Sequence, residues 1–136
     1  TLEVTIQNRG GATLEATLGV EWALTMLGGG GNPAAYYLLD DERLPHDTAG
    51  SRAGVAHMRS GNDYIGIDVA TRAMPAAEAW ISSIDTVSNS EAGFERVYQG
   101  SALVFAWPIA LAPGASTTVR VEHVVTTSRD RATEEA

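Results

Sequence analysis

Hydrophobic and polar residues alternate along much of the chain. The residues of one parity are apolar in the segments 2–6, 16–26, 65–69 and 103–111, and in 119–125 with the exception of His123. Successive side chains of a β-strand point to opposite faces, so this alternation predicts strands with one face in a core. The apolar faces predict a core made of Val20, Trp22, Leu24, Ile65, Ile67, Phe105, Trp107, Val119 and Val121.

Residues that favour turns separate these predicted strands. Glycine, proline, asparagine and aspartate indicate turns at 9–11, 60–63 and 112–115, a flexible loop at 28–33 and a polar loop at 40–53. No apolar 3.6-residue period persists beyond about two turns, and the segment 74–79 can hold one helical turn at most. The chain is therefore predicted to be all-β, an antiparallel β-sandwich. We expect a single domain at 1–127, followed by a polar, frayed tail at 128–136.

The charge of the chain excludes several classes of protein. Nine basic residues, all arginine, oppose seventeen acidic ones, which gives a formal net charge of −8. The chain therefore lacks the basic surface that nucleic-acid binding and binding to an anionic membrane require. No apolar run reaches the ~18 residues of a membrane span. The chain starts inside a predicted strand, without an initiator methionine or a signal peptide, so we expect an excised domain or a processed chain in the cytoplasm.

No motif predicts a complete active site. The glycine-rich loop lacks the Lys-Ser/Thr ending of a phosphate-binding loop, and the acidic segment 40–47 fits a solvated loop better than a calcium site. His46, His57 and His123 are far apart in the sequence, and we expect His123 to be a hydrogen-bonded core residue. The chain contains no cysteine. We therefore predict no catalytic residue, no cofactor and no metal.

Aromatic residues offer candidate carbohydrate contacts. Tyr36 and Tyr37 are adjacent, so on a strand their rings face opposite ways and one ring can be exposed. An exposed ring can stack on the apolar face of a sugar. Tyr36, Tyr37 and Trp80 are the candidates for such contacts.

The segment 85–99 has an unusual composition for a surface connection. Its apolar residues are interrupted by Asp85, Glu91, Glu95 and Arg96. We predict a turn at 88–93 held by Glu91, and a strand at 94–99 whose residues 94, 96 and 98 share a face. Glu91 or Glu95 is expected to pair with an arginine and fix the loop, because an unpaired buried charge is costly. The alternative is that these charged residues form an interface with another domain.

Three segments carry a resemblance to a known family. The residues 84–100 (Ile-Asp-Thr-Val-Ser-Asn-Ser-Glu-Ala-Gly-Phe-Glu-Arg-Val-Tyr-Gln-Gly), 107–114 (Trp-Pro-Ile-Ala-Leu-Ala-Pro-Gly) and 19–29 are similar to recurrent segments of one domain. That domain is the C-terminal domain of alpha-amylase/4-alpha-glucanotransferase enzymes of glycoside hydrolase family 57. Trp80 and the pair Tyr36-Tyr37 belong to the same resemblance, which extends over residues 2–125.

The resemblance implies both a fold and a function. The fold is a galactose mutarotase-like supersandwich, and it follows a catalytic barrel that carries the nucleophile and the acid/base carboxylate. This chain would then be an accessory domain without catalytic residues, whose partners are the catalytic barrel and α-glucan. The alternative is a stand-alone sugar-active enzyme of the mutarotase/epimerase type, which needs a histidine and a glutamate on one concave sheet. A scaffold fragment with no ligand is a third hypothesis.

Overall fold

The computed structural model describes residues 1–29, 31–90 and 93–128. Its elements are eight antiparallel strands: β1 (Leu2–Gln7), β2 (Leu14–Leu24), β3 (Ala35–Leu39), β4 (Glu42–Leu44), β5 (Gly50–Asn62), β6 (Ile67–Ser90), β7 (Gly93–Leu111) and β8 (Ser116–Thr127). The predicted antiparallel β-sandwich is confirmed. None of the described residues forms a helix long and apolar enough to cross a membrane.

The long strand β6 connects the two layers of the sandwich. Its first part, Ile67 to Met74, pairs with β8, and from Glu78 onward the strand pairs with β7. The first layer therefore has the order β1-β8-β6-β5-β3-β4, and the second layer has the order β2-β7-β6. The change of partner lies at Pro75, which follows a cis peptide bond and has no N–H to donate to a neighbouring strand. The Trp107 indole donates a hydrogen bond to the Pro75 carbonyl at 2.9 Å.

The core lies between these layers. Phe105, Trp107, Val119 and Val121 are buried there, as predicted. The β2 residues predicted for the core are half-buried and pack against its margin. Two predictions need correction: Ile65 is half-buried in a turn at 63–66, and Ile67 packs against a separate small cluster of Met26, Ala35 and Val69.

Several predicted loops and turns are strands in the structure. The segment 40–53 contains β4 and the start of β5, and only Asp40 and Asp41 form the tight turn between β3 and β4. Both aspartates have positive φ angles, 47° and 66°, as in the two-residue turns that suit the twist of a hairpin. The segment 74–79 is not helical, because β6 continues through it and pairs with β5 and β7. Residues 60–62 end β5, and the turn itself is 63–66.

Two predicted features lie outside the described residues in whole or in part. Glu91 belongs to the connection between β6 and β7 that is not described, and most of the predicted tail, 129–136, is not described either. The described strands reach Thr127, the last residue of the predicted domain.

Candidate functional site

A β-bulge divides the β6–β7 hairpin into two parts. Ile84 pairs with Gly100 and the next residue, Asp85, pairs with Tyr98, so Gln99 is an extra residue on β7. Beyond this bulge Tyr98, Arg96 and Phe94 share one side of β7, which confirms their predicted common face. The predicted turn at 88–93 is wrong, because Ser88–Ser90 continue β6 and pair with Gly93–Glu95.

An ion pair crosses the hairpin just beyond the bulge. The Arg96 guanidinium donates to Asp85 Oδ2 from Nη2 at 2.5 Å and from Nε at 2.9 Å. The Ser83 hydroxyl donates to the same oxygen at 2.8 Å. These two groups, Ser83 first and then Arg96, hold the pKa of the Asp85 carboxyl below its ordinary value. Asp85 is therefore an anion that is already paired at neutral pH.

The carboxylate in this ion pair differs from the predicted one. We expected Glu91 or Glu95 to pair with an arginine, and the observed partner of Arg96 is Asp85. Glu95 is exposed, and within the described part of the chain it forms no ion pair. Asp85 and Arg96 stand on neighbouring strands, so the pair links β6 to β7. That these residues fix the loop and do not form an interface with another domain stays a prediction.

A polar cleft of about 570 Å³ opens beside the hairpin. The glycine-rich loop forms its opposite wall, and the residues that line it are Gly29, Gly31, Asp47, Ser83, Asp85, Glu95, Arg96, Val97 and Tyr98. Three carboxylates and one guanidinium thus surround the space, with the Tyr98 phenol half-buried at its inner end. This arrangement can hydrogen-bond a ligand that carries several hydroxyl groups.

A buried histidine holds Tyr98 in place behind the cleft. His46 is completely buried, and its ring stacks on Tyr37 with centroids 4.4 Å apart. His46 Nε2 lies 2.8 Å from the Tyr36 carbonyl oxygen, so this nitrogen carries the proton and Nδ1 accepts from the Tyr98 hydroxyl at 3.3 Å. The Tyr98 oxygen then accepts from the Ser101 hydroxyl at 2.6 Å. The chain of hydrogen bonds positions the phenol and uses both imidazole nitrogens.

Burial sets the charge of these groups. It lowers the pKa of His46, which keeps the imidazole neutral at neutral pH, and it raises the pKa of Tyr98. His46 itself is fully shielded from the cleft and is connected to it only through the Tyr98 hydroxyl. We had no prediction for His46 beyond a polar loop, because a single histidine in a polar segment gives no periodic signal.

Tyr36 and Tyr37 do not present an exposed ring. Tyr36 is 5% exposed and Tyr37 is 0% exposed, so the expectation that one of them faces solvent is wrong. The Tyr36 hydroxyl donates to Asp68 Oδ2 at 2.7 Å, while the Arg43 guanidinium covers its ring at 3.9 Å from the centroid. Arg59 pairs with the same buried carboxylate at 3.0 Å. Burial, together with Asp68, raises the pKa of Tyr36 to about 12, and burial raises the pKa of Tyr37 to about 12.

The remaining candidates lie apart from the cleft. Trp80 is 44% exposed, and strand alternation places it on the face of β6 opposite to Ser83 and Asp85. Its role as a carbohydrate contact stays a prediction. His123, expected to be a hydrogen-bonded core residue, does hydrogen-bond the Thr71 hydroxyl at 3.0 Å, but it is exposed, and its ring lies 5.0 Å from that of Trp22. No three histidine, cysteine or acidic residues of the described ranges are grouped so that they could hold a metal ion.

Comparison with known proteins gives the family. Residues 1–121 match the family described as Alpha-amylase/4-alpha-glucanotransferase, C-terminal. This chain belongs to that family. It is 36% identical over 93 residues to Alpha-amylase 1 of Dictyoglomus thermophilum, a match that covers 65% of this chain and 13% of that protein.

Solved structures confirm the fold. A putative aldose 1-epimerase from Escherichia coli has a TM-score of 0.69 and 16% identity, with 92% of this chain and 55% of that chain covered. The 4-alpha-glucanotransferase from Thermococcus litoralis has a TM-score of 0.51 and 23% identity, with 83% and 15% covered. The first likeness confirms the predicted galactose mutarotase-like sandwich. The chain spans only 13% and 15% of the length of the amylase and the glucanotransferase.

Proposed function

We propose that this chain is a non-catalytic accessory domain of an α-glucan-active enzyme of glycoside hydrolase family 57. A separate part of the same polypeptide would supply the catalytic barrel. Two findings support the proposal: the family is that of a C-terminal domain, and the matched regions of the amylase and the glucanotransferase are small parts of long chains.

The state of the cleft side chains carries the non-catalytic assignment. A general acid must hold a proton near the working pH, and glycosidases raise the pKa of one carboxyl for this purpose. In the cleft the pKa of Asp85 is lowered, and Arg96 already pairs with it. The buried His46 uses both ring nitrogens within the protein. The same facts speak against the mutarotase/epimerase alternative at this cleft, because its histidine is not open to a sugar.

Activity of the purified chain tests the non-catalytic assignment. We expect no hydrolysis of starch and no transfer of glucan units by the 136-residue chain. Turnover that disappears in the Asp85→Asn or Glu95→Gln variant would overturn the assignment. Interconversion of aldose anomers by the purified chain, abolished by His46→Gln, would support the epimerase alternative instead.

We further propose that the cleft contacts α-glucan. Phe94, Arg96 and Tyr98 follow one another at every second position along one side of β7, which spaces them by about 7 Å. Phe94 is 84% exposed and can stack on the apolar face of a sugar ring. The Asp85–Arg96 pair and the Tyr98 hydroxyl can then hydrogen-bond the hydroxyl groups of neighbouring units.

Calorimetric titration with maltooligosaccharides tests this contact. An aromatic stacking contact contributes about 0.5–1.5 kcal/mol, so Phe94→Ala should lower the affinity about two- to tenfold. Tyr64 provides a matched control, because this exposed aromatic residue lies in the separate 63–66 turn. Equal losses in Phe94→Ala and Tyr64→Ala would contradict a specific contact at the cleft. Absence of binding would leave a scaffold without a ligand and would not touch the accessory assignment.

A further inference from the structure

Strand β2 has a long open edge. All eleven residues, Leu14–Leu24, pair in unbroken register with β7, and no strand of the described part of the chain lies along the other side. In an antiparallel pair, alternate residues direct both their N–H and their C=O away from the partner strand. About half of the β2 residues therefore present unpaired backbone groups along this edge.

The β2 edge lacks the features that protect sheet edges from pairing. Such edges are usually very short, strongly charged, interrupted by proline or covered by other structure. At the far side of the sandwich, β4 has three residues, two of them charged, and Pro45 follows it. β2 is almost four times as long, has no proline or lysine, and carries charge only at Glu15 and Glu21.

The core is also incompletely closed on this side. Three core-facing residues of β2 are only half-buried, although their partners on β7 are buried. The pairs that show this change are Leu18 with Trp107, Val20 with Phe105 and Trp22 with Leu103. The buried fraction of the side chains thus decreases from β7 to the neighbouring β2. Such a decrease is expected where the next strand of the sheet is missing.

We propose that β2 is an interior strand of a larger sheet, completed by a β-strand from the remainder of the same polypeptide. The epimerase that shares this fold supports this occupant: this chain fits it over 92% of its own length and accounts for only 55% of that chain. A sandwich of this kind thus contains nearly as much chain again outside the matched part. The added strand would place apolar side chains beside Leu18, Val20 and Trp22, and its backbone would pair with the open edge.

Hydrogen exchange at single-residue resolution in the longer polypeptide tests this proposal. If β2 is interior, all amides of residues 14–24 should exchange slowly, at rates comparable with those of β7. If β2 is a true edge, every second amide should exchange at least tenfold faster than its neighbours, and this result would overturn the proposal. The short edge strand β4 serves as the internal reference for an unpaired edge.

The 136-residue chain provides the second measurement. In this chain alone, alternate β2 amides should exchange at least tenfold faster than in the longer polypeptide, while β7 amides that pair with β2 remain protected. Protection of β2 that decreases when the longer polypeptide is diluted would identify a second copy as the occupant and would also overturn the proposal. This inference rests on the proposed accessory function, because that proposal places the domain in a longer polypeptide. Neither measurement depends on glucan binding, so a true edge at β2 would overturn the inference and leave the accessory assignment standing.

Discussion

The two phenylalanines of this chain lie on the same strand and on the same side of it, yet their surroundings are opposite. Phe105 pairs across from Ala79 and is completely buried, whereas Phe94 pairs across from Asn89 and is almost fully exposed. The β-bulge at Gln99 lies between them. On the Phe105 side of the bulge, the strands β6 and β7 pack against the other layer. On the Phe94 side, no described strand covers them.

The comparison shows what alternation encodes. The side of β7 that faces the core continues beyond the bulge without interruption, because β6 keeps its alternation throughout. The neighbouring residues on this side change instead. Ala79 and Ile81 lie beside Phe105, whereas Asp85 and Arg96 lie between the bulge and Phe94. A strand pattern therefore predicts which side chains share a face, while the presence of a covering layer decides whether that face becomes core or binding surface.

Truncation of each phenylalanine gives the largest expected difference. Phe105→Ala should lower the free energy of unfolding by about 3–5 kcal/mol, because it removes a buried ring and leaves a cavity. Phe94→Ala should change it by less than about 0.5 kcal/mol, as for most exposed positions. Urea denaturation of the two variants measures both values. Similar losses in the two variants would show that the hairpin is covered in solution.

Addition of a methyl group at Gly61 tests whether the packing around the buried Tyr36 leaves any free space. A Cβ at Gly61 would lie 2.7 Å from the Tyr36 hydroxyl and 2.9 Å from the Ile67 carbonyl oxygen. The carbonyl belongs to the backbone and cannot move easily, so Gly61→Ala should cost about 1–3 kcal/mol. Gly11→Ala is the control, because its Cβ would meet no atom within 4 Å. A thermal melt in which both variants match the parent would mean that Tyr36 has room to shift.

The pH dependence of stability should report on the buried histidine. Burial lowers the pKa of His46 in the folded state, so its stabilising effect is complete above the unfolded pKa of about 6.5 and is lost as the pH falls below that value. The unfolding free energy should therefore decrease between pH 7.5 and pH 5.5. His46→Gln should flatten this dependence, whereas the exposed His57→Gln should preserve it. The Trp22 ring lies against His123, and the partial desolvation of this otherwise exposed ring lowers the pKa of His123, which leaves a residual slope of the same sign.

A small effect on stability is expected in the part of the hairpin beyond the bulge, which no described strand covers. Arg96→Met removes the ion pair to Asp85 in a largely solvent-exposed position, where such pairs contribute little to folding. The variant should lose no more than about 1 kcal/mol of stability, less than Phe105→Ala and no more than Gly61→Ala, yet bind maltooligosaccharide more weakly. Arg96→Lys keeps the charge and loses the two-point contact, so its affinity should fall between those of the methionine variant and the parent. Unchanged affinity in both variants would exclude the guanidinium from the glucan contact.

The sequence predicted the fold where the alternation is long and one face is buried. The segment 103–111 shows this, because its apolar face is continuous and the other layer covers it. At 74–79 the sequence allowed one helical turn at most and gave no strand pattern, because alanines and a proline carry no alternation there. The neighbouring strands decide the conformation of this segment. The prediction failed at 40–53, because the three-residue β4 is too short to show a period.

The site was predicted less completely than the fold. Composition alone identified the segment 85–99, and the common face of Phe94, Arg96 and Tyr98 follows from strand alternation. The choice of Asp85 as the partner of Arg96 depends on the cross-strand register, which the bulge shifts by one residue. The role of His46 depends on contacts with residues 36 and 98, and no local pattern encodes contacts between such distant positions.

The pairing of β1 has a consequence for the order in which the chain folds. Leu2 pairs with Val121 and Gln7 with Ser116, so the first strand is completed only by the last one. Closing a loop of this length costs entropy before the contacts form, and such long-range pairings slow folding. During synthesis the hairpin of β6 and β7 is complete while β1 still lacks β8, the strand with which it pairs. The first layer therefore closes only after the ribosome has released the residues of β8.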